Sequence, residues 1–307
     1  MKRVSGIFKK TVPLWLALFI VLDSSLIIGV GEYYLIKRKF QKAAVELAQT
    51  TKDPGQLIQL LKQQVIPQQG YVLSVTWKDL GSQLVESGVI DKKKYEEIFT
   101  SLDDGQDHMK YLAGSWDERL KINEKNSRFM VNTLWALGLV NKNKVLDEGS
   151  MKENGDTAQF ASTGGWTLGQ KDAMVYYSSK RIIPLSDKQQ ELVKKIAETV
   201  FRPCCSNSTA FPDCNHGMAA LGYIELAVYN GVGEEQIYKD LLALNSYWFP
   251  REYVEMAAYF KQKNTSWDKV DVKLALSSDY SSAQGWQKIK QSVQNIEGLN
   301  GGGGCGV

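Results

Sequence analysis

Two histidines and four cysteines are all that 307 residues offer for soft-metal or thiol chemistry, and the common catalytic signatures are missing. There is no H-E-x-x-H pair, no G-x-S-x-G elbow and, outside the glycine tail at 301–306, no G-x-G-x-x-G turn. Hydrolase and dinucleotide enzyme classes therefore lose their cheapest support. Beyond residue 42 no Lys/Arg run is longer than the three lysines Lys92, Lys93 and Lys94. Residues 1–42 hold eight basic side chains against Asp23 and Glu32, a local net of +6, while the remainder carries 29 basic and 32 acidic residues. A slightly acidic body without clustered cations argues against nucleic acid as a partner, because such affinity comes from phosphate neutralisation. No repeat of fixed period stands out, which removes solenoids.

What is present is ample apolar material, 43% of residues with 10% aromatic, enough for a packed core and too much for a disordered chain. The longest apolar run is LWLALFIVLDSSLIIGVGEYYLI, Leu14 to Ile36, interrupted only by Asp23 and Glu32. As a helix it reaches roughly 30 to 35 Å, about a bilayer's hydrocarbon thickness. Trp15, Tyr33 and Tyr34 stand at its ends as interfacial residues do. No A-x-A-like cleavage site follows, so the run reads as an uncleaved signal anchor. Four Lys/Arg precede it and four follow, which ties the positive-inside rule. A short basic N-terminus before a first hydrophobic segment then places the body outside the cytoplasm. The expectation is a single-pass membrane protein, extracytoplasmic, with the lipid bilayer as partner through residues 14–36.

Past Lys42 the spacing is mainly helical. Leu57, Leu60 and Leu61 suit a helix stopped before Pro67. Thr76 to Ser87 and a longer stretch from Glu118 to Leu139 read as amphipathic helices, with Asp91 as an N-cap between them. Ser186 is a good N-cap ahead of Gln189, and further helices are expected over 217–229, 234–244, 253–260 and 286–296. The fold class is thus mostly α, a single N-terminal transmembrane helix followed by an irregular multi-helix globular body. Its divisions are a membrane anchor at 1–42, a helical half at 43–146, a Gly/Ser/aromatic connector at 147–183, a second helical half at 184–297 and a flexible glycine tail at 298–307.

The chemistry concentrates in RPCCSNSTAFPDCNHG, residues 202–217, which gathers Cys204, Cys205, Cys214 and His216 within thirteen positions. Pro203 and Pro212 bracket a short polar loop and keep it out of the flanking helices. Asp213 or Asn215 is expected to cap the next helix, placing Cys214 and His216 in its first turn. Unpaired N–H groups and the positive helix end there favour a thiolate. Cys305 stands on a glycine arm, Gly301 to Gly304, and the five residues from Gly301 to Cys305 can sweep about 15 Å.

Three readings of these residues stay open. Cys204, Cys205, Cys214 and His216 form a soft donor set for Zn(II) or Cu(I), and a membrane-anchored metal binder is the leading expectation. Cysteine-dependent or thiol–disulfide catalysis would use Cys214 as nucleophile and His216 as base, with Cys305 as a mobile second thiol. A disulfide-stapled interaction scaffold would pair Cys204 or Cys205 with Cys214, and the other with Cys305. Lesser features are the acidic run Asp103 to Asp107 beside His108, read as a helix start, and Ser162-Thr163-Gly164-Gly165, read as a turn.

Overall fold

The computed structural model describes residues 54–100, 108–153 and 155–296. Pro54 opens helix α1 (Pro54–Val65), which ends just ahead of Pro67. A turn through Gly70, at φ +78°, leads into strand β1 (Tyr71–Lys78). Leu73, Val75 and Trp77 point into the core while Ser74 and Thr76 point away, the alternation that a half-buried strand requires. The helix expected from Thr76 therefore starts later, as α2 (Leu80–Glu86). Helix α3 (Lys92–Phe99) is capped by Asp91, as its sequence predicts, with the carboxylate accepting from the amides of Lys93 and Lys94.

Strand β2 (Trp116–Ile122) pairs antiparallel with β1, Tyr71 opposite Ile122 and Lys78 opposite Trp116. This corrects the long amphipathic helix expected from Glu118. Leu120 and Ile122 are buried two residues apart, a strand period. A reciprocal turn then breaks the chain: Asn123 and Asn126 each donate a backbone amide to the other's side-chain oxygen, at 2.8 and 2.9 Å. Only after it does helix α4 (Ser127–Val140) begin. Among the described residues no third strand pairs with the outer edge of β1. Side chains close it instead, Asp240 accepting from the Ser74 amide at 2.8 Å and Asn230 from that of Thr76 at 3.3 Å.

The second half of the chain supplies α5 (Asp187–Thr199), α6 (Asn215–Tyr229), α7 (Glu234–Trp248), α8 (Pro250–Gln262) and α9 (Ala283–Val293). Ser186 and Gln189 form the expected capping box on α5. Helices α4 and α6 are buried around almost their whole circumference, which marks them as the centre of the core. They cross closely enough that a Cβ on Gly138 would lie 2.2 Å from the Met218 carbonyl, and one on Gly222 2.3 Å from that of Leu134. This contact fixes where α6 lies, and α6 carries the cysteine loop at its start.

The membrane expectations are corrected here. Residues 14–36 lie outside the described residues, and among the described residues no helix is long and apolar enough to cross a bilayer. The most apolar candidates, α4 and α6, have 14 and 15 residues. At 1.5 Å per residue they reach only about 21 to 23 Å, short of a hydrocarbon core of about 30 Å. Their apolar surface is spent on each other. The transmembrane helix, the signal anchor, the bilayer partner through 14–36, the extracytoplasmic placement and the membrane-anchored form of metal binding therefore have no spanning helix behind them.

Candidate functional site

After α5 the chain turns back on itself through residues 200–214. The Thr209 amide donates to the Val200 carbonyl at 2.8 Å and that of Ala210 to Ala197 at 3.1 Å, so the loop is pinned to the end of its own helix. A second clamp comes from the connector. The turn at Ser162 places its amide 3.2 Å from the Asp213 carbonyl and its hydroxyl against the Pro212 carbonyl. Ser162 in turn accepts from the Trp135 indole of α4 at 2.6 Å. The Ser-Thr-Gly-Gly turn is thus a brace between core helix and cysteine loop. On the far side the Ala283 amide holds the Cys205 carbonyl at 2.8 Å.

Arg202 sits at the middle of the loop with no exposed surface, and its guanidinium organises everything around it. Nε donates to Cys214 Sγ at 3.0 Å, Nη1 to the Asn207 carbonyl at 3.1 Å, and Nη2 to the Phe211 carbonyl at 3.3 Å and to Asp213 Oδ1 at 3.0 Å. Asn207 closes the circuit by donating Nδ2 to the other Asp213 oxygen at 2.8 Å. A cation without exposed surface is tolerable only with such a set of acceptors. Burial opposes its charge, but the Cys214, Cys205 and Cys204 sulfurs outweigh that and push its pKa up. Sequence reasoning missed both Arg202 and Asp213. An Arg-Pro ahead of a cysteine pair does not reveal that its side chain folds inward.

Cys214 itself is the N-cap of α6, accepting from the Gly217 amide at 3.3 Å, where Asp213 or Asn215 was expected. Cys204 Sγ lies 3.3 Å from Cys214 Sγ, well beyond the roughly 2.05 Å of a disulfide. The three described cysteines are free thiols, Cys204 exposed and Cys205 and Cys214 half-buried; Cys305 lies outside the described residues. Hydrogen bonds from Cys204 and Cys205, with the Arg202 charge, hold Cys214 well below the usual thiol range despite its burial. Cys204 moves the other way, raised by its contacts with Cys205 and Cys214. For Cys205 the hydrogen bond to Cys204 lowers the pKa, but the bond to Cys214 and burial prevail and push it up to about 11. Of the three sulfurs, Cys214 is the one whose thiolate the surroundings favour.

His216 is 6% exposed, its ring 4.4 Å from that of Phe249 and 5.9 Å from that of Trp248. Burial, aided by Arg202, lowers its pKa to about 4. It is neutral at physiological pH, and the positive partner of the thiolate is Arg202. Cys204, Cys214 and His216 bring one donor atom each within 4.8 Å of one another, and so do Cys205, Asp213 and Cys214. The four residues expected to share one ion are thus split between two triads with Cys214 common to both, the second completed by Asp213. The first is a soft sulfur and nitrogen set capable of coordinating a thiophilic metal.

Gly217 has a specific task in this arrangement. A Cβ there would lie 2.3 Å from Arg202 Nη2 and 2.4 Å from Cζ, so the guanidinium lies flat against bare backbone. Gly217→Ala is expected to displace Arg202 at a cost of about 1 to 3 kcal/mol, the usual range for overpacking. The Cys214 thiol pKa should then rise toward that of ordinary cysteine. Thermal unfolding together with the pH profile of thiol alkylation reads both effects. An unchanged alkylation profile would show that Arg202 does not need the gap.

No protein-family model, curated protein or solved structure matches this chain.

Proposed function

We propose that the loop from Arg202 to His216 is a cysteine-dependent redox centre in which Cys214 is the nucleophile and Cys204 the resolving thiol. The observation that carries this reading is the 3.3 Å approach of the two sulfurs, with the Arg202 guanidinium 3.0 Å from only one of them. In exchange with a disulfide, Cys214 thiolate attacks one sulfur and the other leaves as a thiolate, giving a mixed disulfide. The negative charge on Cys214 is now gone, so the contact that kept Cys204 protonated is lost and Arg202 faces an uncompensated site. Cys204 gives up its proton to the departing thiolate and attacks Cys214 Sγ, releasing the second substrate thiol. Two electrons pass from the protein's dithiol to the substrate disulfide. Cys305 enters the scheme as a second exchanging thiol on sequence grounds alone.

The test is peptide mapping by mass after mild oxidation of the reduced chain. Wild type and Cys205→Ser are expected to close a Cys204–Cys214 bond with loss of two free thiols, while Cys204→Ser and Cys214→Ser close none. A wild type that keeps all its thiols, or pairs Cys205 instead of Cys204, would overturn the assignment.

A second reading draws on His216. Its ring makes no hydrogen bond among the described residues beyond its packing on Phe249 and Trp248, its lone pair is unprotonated, and two sulfurs lie within 4.8 Å. We propose that Cys204, Cys214 and His216 hold Zn(II) or Cu(I) when the thiols are reduced, since both ions accept thiolate and imidazole donors. Such an ion would supply a closed, redox-protected state of the same sulfurs. Elemental analysis of reduced protein, with and without Cys214→Ser, checks it: stoichiometric metal lost in the variant is the expected result.

A further inference from the structure

We infer that the oxidant of this centre is a small hydroperoxide, taken by Cys214, and that reducing thiols enter from the opposite side, at Cys204. This rests on the reading of the site as a redox dithiol and adds its substrate class and its direction. The first support is the order of exposure. Cys204 is exposed while Cys214 is half-buried beneath it, enclosed by Cys204 Sγ at 3.3 Å, Arg202 Nε at 3.0 Å and the Gly217 amide at 3.3 Å. A peptide disulfide must bring two substituted sulfurs into line with the attacking one, and here it would meet Cys204 first. A hydroperoxide needs to present one oxygen. The second support is two buried polar atoms without partners on residues next to His216 and Cys214. Trp248, which packs on His216, has an indole N–H without a partner, and Asn215, which follows Cys214, has an unpaired side-chain oxygen. One free donor and one free acceptor match the lone pairs and the O–H of a hydroperoxide.

The steps balance. Cys214 sulfur attacks the terminal oxygen, the O–O bond breaks, and Cys214 becomes a sulfenic acid while hydroxide or alkoxide departs. That leaving oxygen ends as water or an alcohol after taking up a proton from solvent. Cys204 sulfur then attacks Cys214 Sγ, the S–O bond breaks, and the thiol proton leaves with the hydroxyl as water. The peroxide is reduced by two electrons and the dithiol becomes a disulfide. Reduction runs through the exposed sulfur. An external thiol attacks Cys204, and Cys214 departs as the thiolate that Arg202 and the start of α6 stabilise, the better leaving group of the two. A large reductant therefore never needs to reach the interior.

The experiment uses the full reduced chain with a chelator present, mixed with hydrogen peroxide at pH 7 and quenched for thiol counting. Wild type is expected to lose two thiols per peroxide at a rate at least about tenfold that of free cysteine, as an activated thiolate should. Cys204→Ser should accumulate a dimedone-trapped sulfenate on Cys214, and in Cys214→Ser no trapped sulfenate should form on Cys204. If hydrogen peroxide reacts no faster than with free cysteine while glutathione disulfide closes the Cys204–Cys214 pair, the hydroperoxide assignment fails and the redox dithiol stands. If neither reagent closes the pair, the underlying reading fails with it. A sulfenate trapped on Cys204 in Cys214→Ser at the wild-type rate would reverse the order of the two thiols and overturn the proposal.

Discussion

Arg202→Met is expected to cost about 3 to 5 kcal/mol of folding stability, the range for breaking a buried pair from one side, and to return Cys214 to an ordinary thiol pKa. The side chain it replaces has no exposed surface and makes four hydrogen bonds within the loop. Methionine fills much of the volume but leaves the Cys214 sulfur, the Asp213 carboxylate and the Asn207 and Phe211 carbonyls without their donor. Acceptors left bare in a buried loop carry their own desolvation cost. Urea unfolding at pH 7 reads the stability, and the pH dependence of alkylation reads the thiol. Arg202→Lys separates charge from geometry: a single ammonium can face Cys214 or Asp213 but cannot span both carbonyls as the guanidinium fork does. It should recover part of the thiol shift and less of the stability. A methionine variant with wild-type stability and an unshifted thiol would remove Arg202 from the centre of the site.

The second large effect lies on α6, two and a half turns beyond His216. Glu225 is fully buried in α6 with no cation beside it. Asn141 donates Nδ2 to one carboxylate oxygen at 3.0 Å, and Asn143 donates Nδ2 to the other. Both amides are locked in that orientation, because the Asn141 oxygen accepts from Ile183 and the Asn143 oxygen from Val145. Burial outweighs these two donors and lifts the pKa from 4.5 to about 8. For a carboxyl raised on folding, the native state holds the proton more tightly than the unfolded chain. Stability is then greatest below pH 4.5, falls as pH rises, and levels off once pH passes about 8. At 1.36 kcal/mol for each pH unit of the window, the loss from this one group is on the order of 5 kcal/mol.

Glu225→Gln should abolish that slope while introducing a different cost. One end of the new amide must present N–H to an asparagine that also presents N–H, which leaves the variant less stable than wild type at pH 5 by about 1 to 3 kcal/mol. By pH 8.5 the gap is expected to close or invert. The difference between wild-type and variant unfolding free energies, measured across pH, cancels every other titrating group. A pH-independent difference would show that Glu225 does not exchange its proton on folding.

Much of this was legible from residue spacing. The helices from Ser186 onward follow from capping residues and 3.6-residue periodicity, and the gathering of Cys204, Cys205, Cys214 and His216 follows from their crowding between two prolines. The hairpin was not. Its strands alternate over short spans, and the helical spacing from Phe129 onward masks the strand spacing of Leu120 and Ile122 ahead of the Asn123 and Asn126 turn. Nor does local pattern show that a cation folds inward. Arg202 is buried because a distant segment, the Ser162 turn, clamps the loop while the loop folds back on the end of α5, and Gly217 makes room for it without a Cβ. The apolar run at 14–36 illustrates the opposite hazard. Hydropathy alone suggests a bilayer, whereas the apolar helices α4 and α6 show that this chain also buries such surface against itself.

The side chains that close the edge of β1 also impose an order of events on synthesis. Ser74 waits for Asp240 across 166 residues of sequence. At translation rates of about 5 to 20 residues per second, that interval is roughly 8 to 30 s during which the strand's outer amides have no intramolecular partner. The hairpin edge is therefore open to pairing with a neighbouring ribosome's product, and the arrival of α7 closes it at Ser74.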